Sequence, residues 1–162
     1  VDGEVSEEEF LTVHDTLTAA GFEHYEVSNY ALPGFRARHN ASYWHGTKYL
    51  GIGPAAHSFD GEERHWNASS VEKYIAGAPA GKEVLTRRDR FNEYVMTALR
   101  TVEGIDLEEA AARFGAKRLA RMQEEAAPFL RSGTLRIARG RMALPPEKFL
   151  ISDAVIGALF ET

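Results

Sequence analysis

The chain contains no cysteine. This absence removes disulfides, thiolate zinc sites, a cysteine nucleophile and any cysteine-ligated iron–sulfur cluster from what these residues can build. Also missing is any run near the ~20 apolar residues of a membrane-spanning helix, and no basic-then-apolar segment opens the chain, so a cytoplasmic setting without an integral membrane segment is expected. Positive charge is in deficit: 19 Lys and Arg against 24 Asp and Glu leave a net charge of −5. Bulk nucleic-acid binding and adhesion to anionic membranes are disfavoured accordingly. There is no internal repeat and no low-complexity tract. There is no initiator methionine either, and Val1-Asp2-Gly3-Glu4 leads almost at once into a helix signal, as in a piece of a longer polypeptide.

What is present is ordinary for a globular protein: 162 residues, 44% hydrophobic and 27% charged, enough for one domain or two small ones. Ser6-Glu7-Glu8-Glu9 reads as a capping box, followed by Phe10, Val13, His14 and Leu17 at helical spacing, with Gly21 as the stop. Residues 22–28 partly alternate as a half-buried strand, residues 29–42 form an extended loop around Pro33-Gly34, and residues 48–52 are a second short strand candidate. A helix, a strand and ligand-type loops at the strand end are the grammar of an α/β layer.

Beyond about residue 60 the pattern becomes mostly helical. Ser69-x-x-Glu72 caps a short helix reaching Ala76, and residues 77–82 read as a linker near a domain boundary. Thr86-x-x-Asp89 and Asp106-x-x-Glu109 open two further helices, striped by Phe91, Val95, Leu99 and Val102 and by Leu107, Ala110, Ala111 and Phe114. A third helix carries Leu119, Met122 and Ala126, and Pro128 is expected to kink or restart it. Leu135 and Ile137 alternate against Met142 and Leu144 across Arg139-Gly140 as a hairpin, and an apolar helix follows from about Ile151 to Phe160. Three helices, a hairpin and a helix describe a winged-helix-like domain.

The densest chemistry lies in His39-Asn40-Ala41-Ser42-Tyr43-Trp44 and Gly51-Ile52-Gly53-Pro54-Ala55-Ala56-His57-Ser58. Imidazole, indole, phenol and close-approach glycines together suit a flat, aromatic, metal-bearing ligand. Neutral imidazole is a common axial ligand to haem iron, and an adjacent Trp and Tyr offer apolar faces plus an N–H or O–H. The bland alternative is that His39 and Asn40 satisfy the loop backbone while Tyr43 and Trp44 plug a core. Gly51-x-Gly53 serves either a ligand approaching the backbone or a tight strand-to-loop turn. His57 reads as a buried structural histidine or as an alternative ligand. Arg36, Arg38 and Arg64 could meet carboxylates or simply face solvent. His39, His45, His57 and His65 match no zinc spacing.

Tyr25-Glu26-Val27-Ser28-Asn29-Tyr30-Ala31-x-Pro33-Gly34, His39-Asn40-x-x-Tyr43-Trp44, Tyr49-x-Gly51-x-Gly53-Pro54-x-Ala56-His57-Ser58 and Arg64-x-x-Asn67 resemble, in order, the signature blocks of the HemW family. Phe149-Leu150-x-Ser152-Asp153 resembles the end of the family's C-terminal domain, while residues 68–145 match only in pattern and spacing. These are radical-SAM proteins related to oxygen-independent coproporphyrinogen III oxidase. The resemblance implies an α+β chain: residues 1–67 as the last α/β elements of a partial (βα) barrel, and residues 68–162 as a winged-helix-like C-terminal domain. Family members hold a [4Fe–4S] cluster and S-adenosylmethionine through a CxxxCxxC motif; without cysteine this chain cannot ligate that cluster, and it is not expected to be an active enzyme alone. The resemblance further implies a haem chaperone, with His39, Asn40, Tyr43 and Trp44 binding haem, His39 on the iron, and Gly51, Gly53, His57 and Arg64 facing a cofactor.

The partners so implied are haem, respiratory haem-protein acceptors that would bring the chain to a membrane surface, and a second copy of the chain as an alternative to a monomer. A coproporphyrinogen oxidase fragment is the rival reading. Rivals of another class are a protein-interaction module and a winged-helix nucleic-acid binder using Lys117, Arg118, Arg121, Arg136, Arg139 and Arg141, the latter opposed by the overall acidity.

Overall fold

A computed structural model describes residues 3–39, 46–79 and 81–162 of the chain. Helix α1 (Gly3–Ala19) buries no residue fully; Phe10 is partly buried against the core. Ser6 lies inside this helix, so the Ser6–Glu9 capping box does not start it. Gly21 ends it, at φ 88, a left-handed conformation that costs glycine least.

The strand expected over residues 22–28 is present as β1 (Glu23–Glu26), and it pairs antiparallel with β2 (Asn29–Ala31), which lies in the stretch expected to be an extended loop. His24, Tyr25 and Glu26 are all buried because both sides of β1 are covered. The Val27 N–H donates to the Arg100 carbonyl (2.9 Å) and the Val102 N–H to the Tyr25 carbonyl (3.1 Å), tying the hairpin to the C-terminal half.

Of residues 48–52, only Tyr49 makes a bridge, to Phe59. The sheet forms further on, in the order β3 (His57–Phe59), β4 (Glu63–Trp66), β5 (Gly81–Val84), all antiparallel. Strand β5 begins at Gly81 and so takes the last two residues of the linker expected at 77–82, while residues 77–79 form no helix or strand. Its register puts Gly81 opposite Trp66, and a Cβ at Gly81 would stand 2.2 Å from the indole Nε1, so only glycine lets the strand close on that ring. The intervening helix α2 (Val71–Ile75) is capped by Ser70, which accepts from the Lys73 N–H (3.2 Å), rather than by Ser69.

The C-terminal half follows its local signals closely. Helix α3 (Arg87–Ala98) starts with the complete Thr86–Asp89 capping box. Strand β6 (Ile105–Asp106) leads into α4 (Leu107–Phe114), with Asp106 as its N-cap. Helix α5 (Ala116–Arg131) runs through Pro128 without restarting. Proline forfeits one ladder bond there. Buried Met122 and Ala126 fix the preceding turns, and the Ser132 N–H caps the Pro128 carbonyl (3.1 Å). Strands β7 (Arg136–Ala138) and β8 (Arg141–Ala143) turn at Arg139 (φ 51) and Gly140 (φ 75), the two positive angles of a hairpin matched to strand twist.

Strand β6 adds to β8, giving the order β6-β8-β7. Ile137, on the edge strand, is exposed. A 3-10 turn (Pro146–Ile151) precedes the last helix, α6 (Ser152–Leu159). Phe91, Leu99, Ile105, Met122, Met142 and Phe149 belong to one core built from residues 91–159, against which Phe10 of α1 and Val27 of the first hairpin pack in part.

Candidate functional site

The extended loop after β2 leads to the His39 motif and is held down by one side chain. Arg36 donates to Glu23 Oε2 (2.9 Å) and to Glu103 Oε1 (2.5 Å), and its guanidinium lies 5.3 Å from the Tyr25 ring centroid. Burial alone would lower the Arg36 pKa, but the hydrogen bonds and charges of Glu23 and Glu103 outweigh it and raise it. Arg36 is thus neither a solvated arginine nor one available to a ligand. The Ala37 N–H donates to the Tyr25 hydroxyl (3.3 Å), so the chain arrives at Arg38 and His39 from a fixed point. His39 is exposed. Asn40, Tyr43 and Trp44, and with them His45, lie outside the described residues.

The glycine block forms a loop closed at its base by Tyr49 and Phe59, which exchange both backbone bonds at 2.9 Å. Inside it, the Asn67 Nδ2 donates to the carbonyls of Gly53 (2.9 Å) and Gly51 (3.3 Å). The Gly51 N–H donates to Ser58 Oγ (2.9 Å), and the Gly53 N–H to the Tyr74 hydroxyl (3.1 Å). A Cβ at Gly51 would meet the His57 carbonyl oxygen at 2.1 Å, and Gly53 sits at φ 108. Both glycines have structural reasons to be glycine, whatever they face. Leu50 and Ile52, by contrast, are 79% and 83% exposed.

His57 is exposed on β3, its ring 5.9 Å from that of Trp66, which corrects the expectation of a buried histidine. Arg64 points elsewhere, donating to Glu93 Oε1 of α3 (2.7 Å). Burial would lower its pKa, and the bond and charge of Glu93 raise it overall. His39, His57 and Arg64 therefore sit on three separate elements, two of them exposed and one paired.

Two buried polar groups on β1 carry no signal in the sequence pattern. His24 is 4% exposed, stacked on Tyr30 at 4.0 Å and edge-on to Phe149 at 5.0 Å, with its Nδ1 3.0 Å from His14 Nδ1. Desolvation holds its pKa below 6.5, and the charge of His14 adds to that. Glu26 is 1% exposed, and its Oε1 has no hydrogen-bond partner among the described residues. Among those residues, no group of three or more His, Cys, Asp or Glu is placed to hold a metal ion. The residues present do not fit an iron–sulfur cluster.

A cleft of about 660 Å³ opens where α3 meets the β3–β4 turn on one side and α4 with β8 on the other. Arg87, Arg90, Tyr94 and Thr97 line it from one face of α3, and Gly46, just after the His39 motif, lies on its rim. The Tyr94 hydroxyl accepts from the Asp106 N–H and donates to the Asp106 carbonyl, both at 3.2 Å, and burial, then the charge of Glu109, push its pKa up to about 12. In sequence, Arg87 and Arg90 look like solvated first-turn residues.

Comparison with known proteins places this architecture. The HemN C-terminal domain family matches residues 85–151, from the end of β5 to the 3-10 turn. The haem chaperone HemW of Mycobacterium tuberculosis is 36% identical over 98% of this chain and 40% of its own length. The chain belongs to the HemW family. HemW of Lactococcus lactis is 36% identical over 63% of the chain and 28% of that protein. Among solved structures, the Escherichia coli coproporphyrinogen III oxidase HemN, a radical SAM enzyme, superposes with a TM-score of 0.69 at 17% identity, over 93% of this chain and 39% of that one. That likeness is one of fold, and it fits the α+β reading of a barrel edge followed by the helical domain. The chain spans about 40% of the M. tuberculosis HemW.

Several basic residues of the winged-helix nucleic-acid reading have partners within the domain. On α5, Arg118 pairs with Glu161 (2.6 Å) and Arg121 donates to the Phe160 carbonyl (2.9 Å). In the hairpin, Arg141 pairs with Asp106 (2.9 Å). No helix among the described residues is long and apolar enough to cross a membrane.

Proposed function

We propose that this chain is the haem-handling C-terminal region of a HemW-type chaperone, which binds haem and passes it to respiratory haem proteins. The observation that carries the reading is the 36% identity to a HemW haem chaperone across 98% of the chain, with the His39-Asn40-x-x-Tyr43-Trp44 motif in its place in the sequence. Residues 1–67 act as the haem-facing barrel edge and residues 68–162 as the appended domain. Haem is cargo, so the site needs a ligand that lets go.

In this reading the neutral imidazole of His39 donates its lone pair to the iron, Asn40 orients the loop, and Tyr43 and Trp44 provide apolar faces for the macrocycle. The Arg36 clamp supports it by fixing the approach to His39, an exposed residue. Gly51, Gly53, His57 and Arg64 shape the neighbouring barrel edge, where the parent protein's S-adenosylmethionine would be met. The parent's [4Fe–4S] cluster has no ligands in this chain. Titrating the chain with haemin and following the Soret band tests the reading: saturable one-to-one binding supports it. No binding by either this chain or its full-length parent rejects it, and conversion of coproporphyrinogen by the parent transfers the assignment to the oxidase.

A further inference from the structure

The cleft beside Gly46 has an unusual charge arrangement. Three carboxylates line it, Glu93, Glu103 and Glu109, and each is held by an arginine: Glu93 by Arg64, Glu103 by Arg36, and Glu109 by Arg113 (2.6 Å). A fourth arginine, Arg141, is committed to Asp106. Arg87 and Arg90 also line the cleft, and neither makes an ion pair among the described residues. With every wall carboxylate neutralised, two adjacent cations on one turn of α3 remain to face an anionic ligand.

The rest of the cleft suits a flat ligand. Arg113 lies 5.0 Å from the ring centroids of both Tyr94 and Phe114, which groups a guanidinium with two aromatic rings on one wall. Phe59 contributes an apolar wall from β3. A volume of about 660 Å³ lies in the range of small-molecule and cofactor sites. The rim at Gly46 follows directly on the motif that contains His39, Tyr43 and Trp44.

We propose that this cleft receives the carboxylate-bearing edge of a tetrapyrrole, with Arg87 and Arg90 binding its two propionates. The inference rests on the haem-binding reading and deepens it: the appended domain supplies the carboxylate anchor and the barrel edge supplies the iron ligand. Guanidinium binds carboxylate in a planar, two-bond geometry that lysine lacks.

The test titrates the chain, and its full-length parent, with haemin and with haemin dimethyl ester, whose carboxylates are blocked. Arg87→Gln/Arg90→Gln is expected to weaken haemin binding about tenfold, the sum of two solvent-facing charged contacts, and to leave the ester's affinity unchanged. Arg87→Lys/Arg90→Lys should restore part of the loss. Both substitutions lie at the helix surface, and an unchanged circular dichroism spectrum confirms the fold. Haemin binding that depends on His39 but is identical in the Arg87/Arg90 variants overturns the anchor alone. An equal loss for haemin and ester overturns the carboxylate contact, and failure of the wild-type chain and parent to bind haemin overturns both this inference and the reading beneath it.

Discussion

His14 and His24 meet nitrogen to nitrogen, Nδ1 to Nδ1 at 3.0 Å, between α1 and the buried face of β1. Such a contact needs one ring to donate and the other to accept, so both cannot be protonated while it lasts. It ties α1, none of whose residues is fully buried, to β1.

The pair predicts a pH dependence of stability. Burial, and then the charge of His14, hold the His24 pKa below its unfolded value of 6.5, so the unfolded chain binds this proton more readily. The stabilisation is whole above about pH 6.5 and is lost as pH falls below it toward the lowered folded value. Thermal unfolding followed between pH 7.5 and 5.0 should show the decline, and His24→Phe, which keeps the stacking on Tyr30, should flatten it. An equally steep decline in that variant would assign the dependence to another group.

The loop of residues 50–58 should be intolerant of small changes. Gly51→Ala puts a methyl against the His57 carbonyl, and Asn67→Ala strips both glycine carbonyls of their donor. Each should cost about 1–3 kcal/mol in urea unfolding. Ile52→Ser, at an exposed position of the same loop, should cost under about 0.5 kcal/mol.

Arg36 should matter more for the order of one loop than for global stability. Its partners Glu23 and Glu103 are about as solvent-exposed as Arg36 itself, so Arg36→Ala should lower stability by only about 1 kcal/mol. Limited proteolysis should nevertheless cut residues 33–39 faster than in the wild type. Unchanged cleavage would show that the Ala37–Tyr25 bond suffices to hold the approach to His39.

Haem-binding variants separate ligation from packing. His39→Ala should weaken haemin binding and shift the Soret band, whereas Trp44→Ala should weaken binding with little change in band position, because it removes surface and not a bond to iron. His57→Ala is the control. Wild-type spectra in the His39 variant, with loss in the His57 variant, would move the ligand to the glycine block.

The residues alone determined what depends on near neighbours. The absence of cysteine excluded a thiolate-held cluster. Helical stripes, the caps at Thr86 and Asp106 and the turn at Arg139-Gly140 specified the C-terminal half, because helix starts and tight turns are decided by groups a few positions apart. The ordered motif blocks were enough to recognise the family. Only the tertiary structure decided which strand meets which: β5 starts inside the end of the expected linker, since an edge strand carrying Lys82 and Glu83 has no local apolar signature. The same holds for charge. Arg36 reaches Glu103 and Arg64 reaches Glu93 across long stretches of chain, while Arg87 and Arg90 stay uncommitted, and no spacing rule distinguishes the paired arginines from the unpaired. Which polar groups are sealed in, as His24 and Glu26 are, follows from what packs over both sides of β1, and that covering comes from elements far away in sequence.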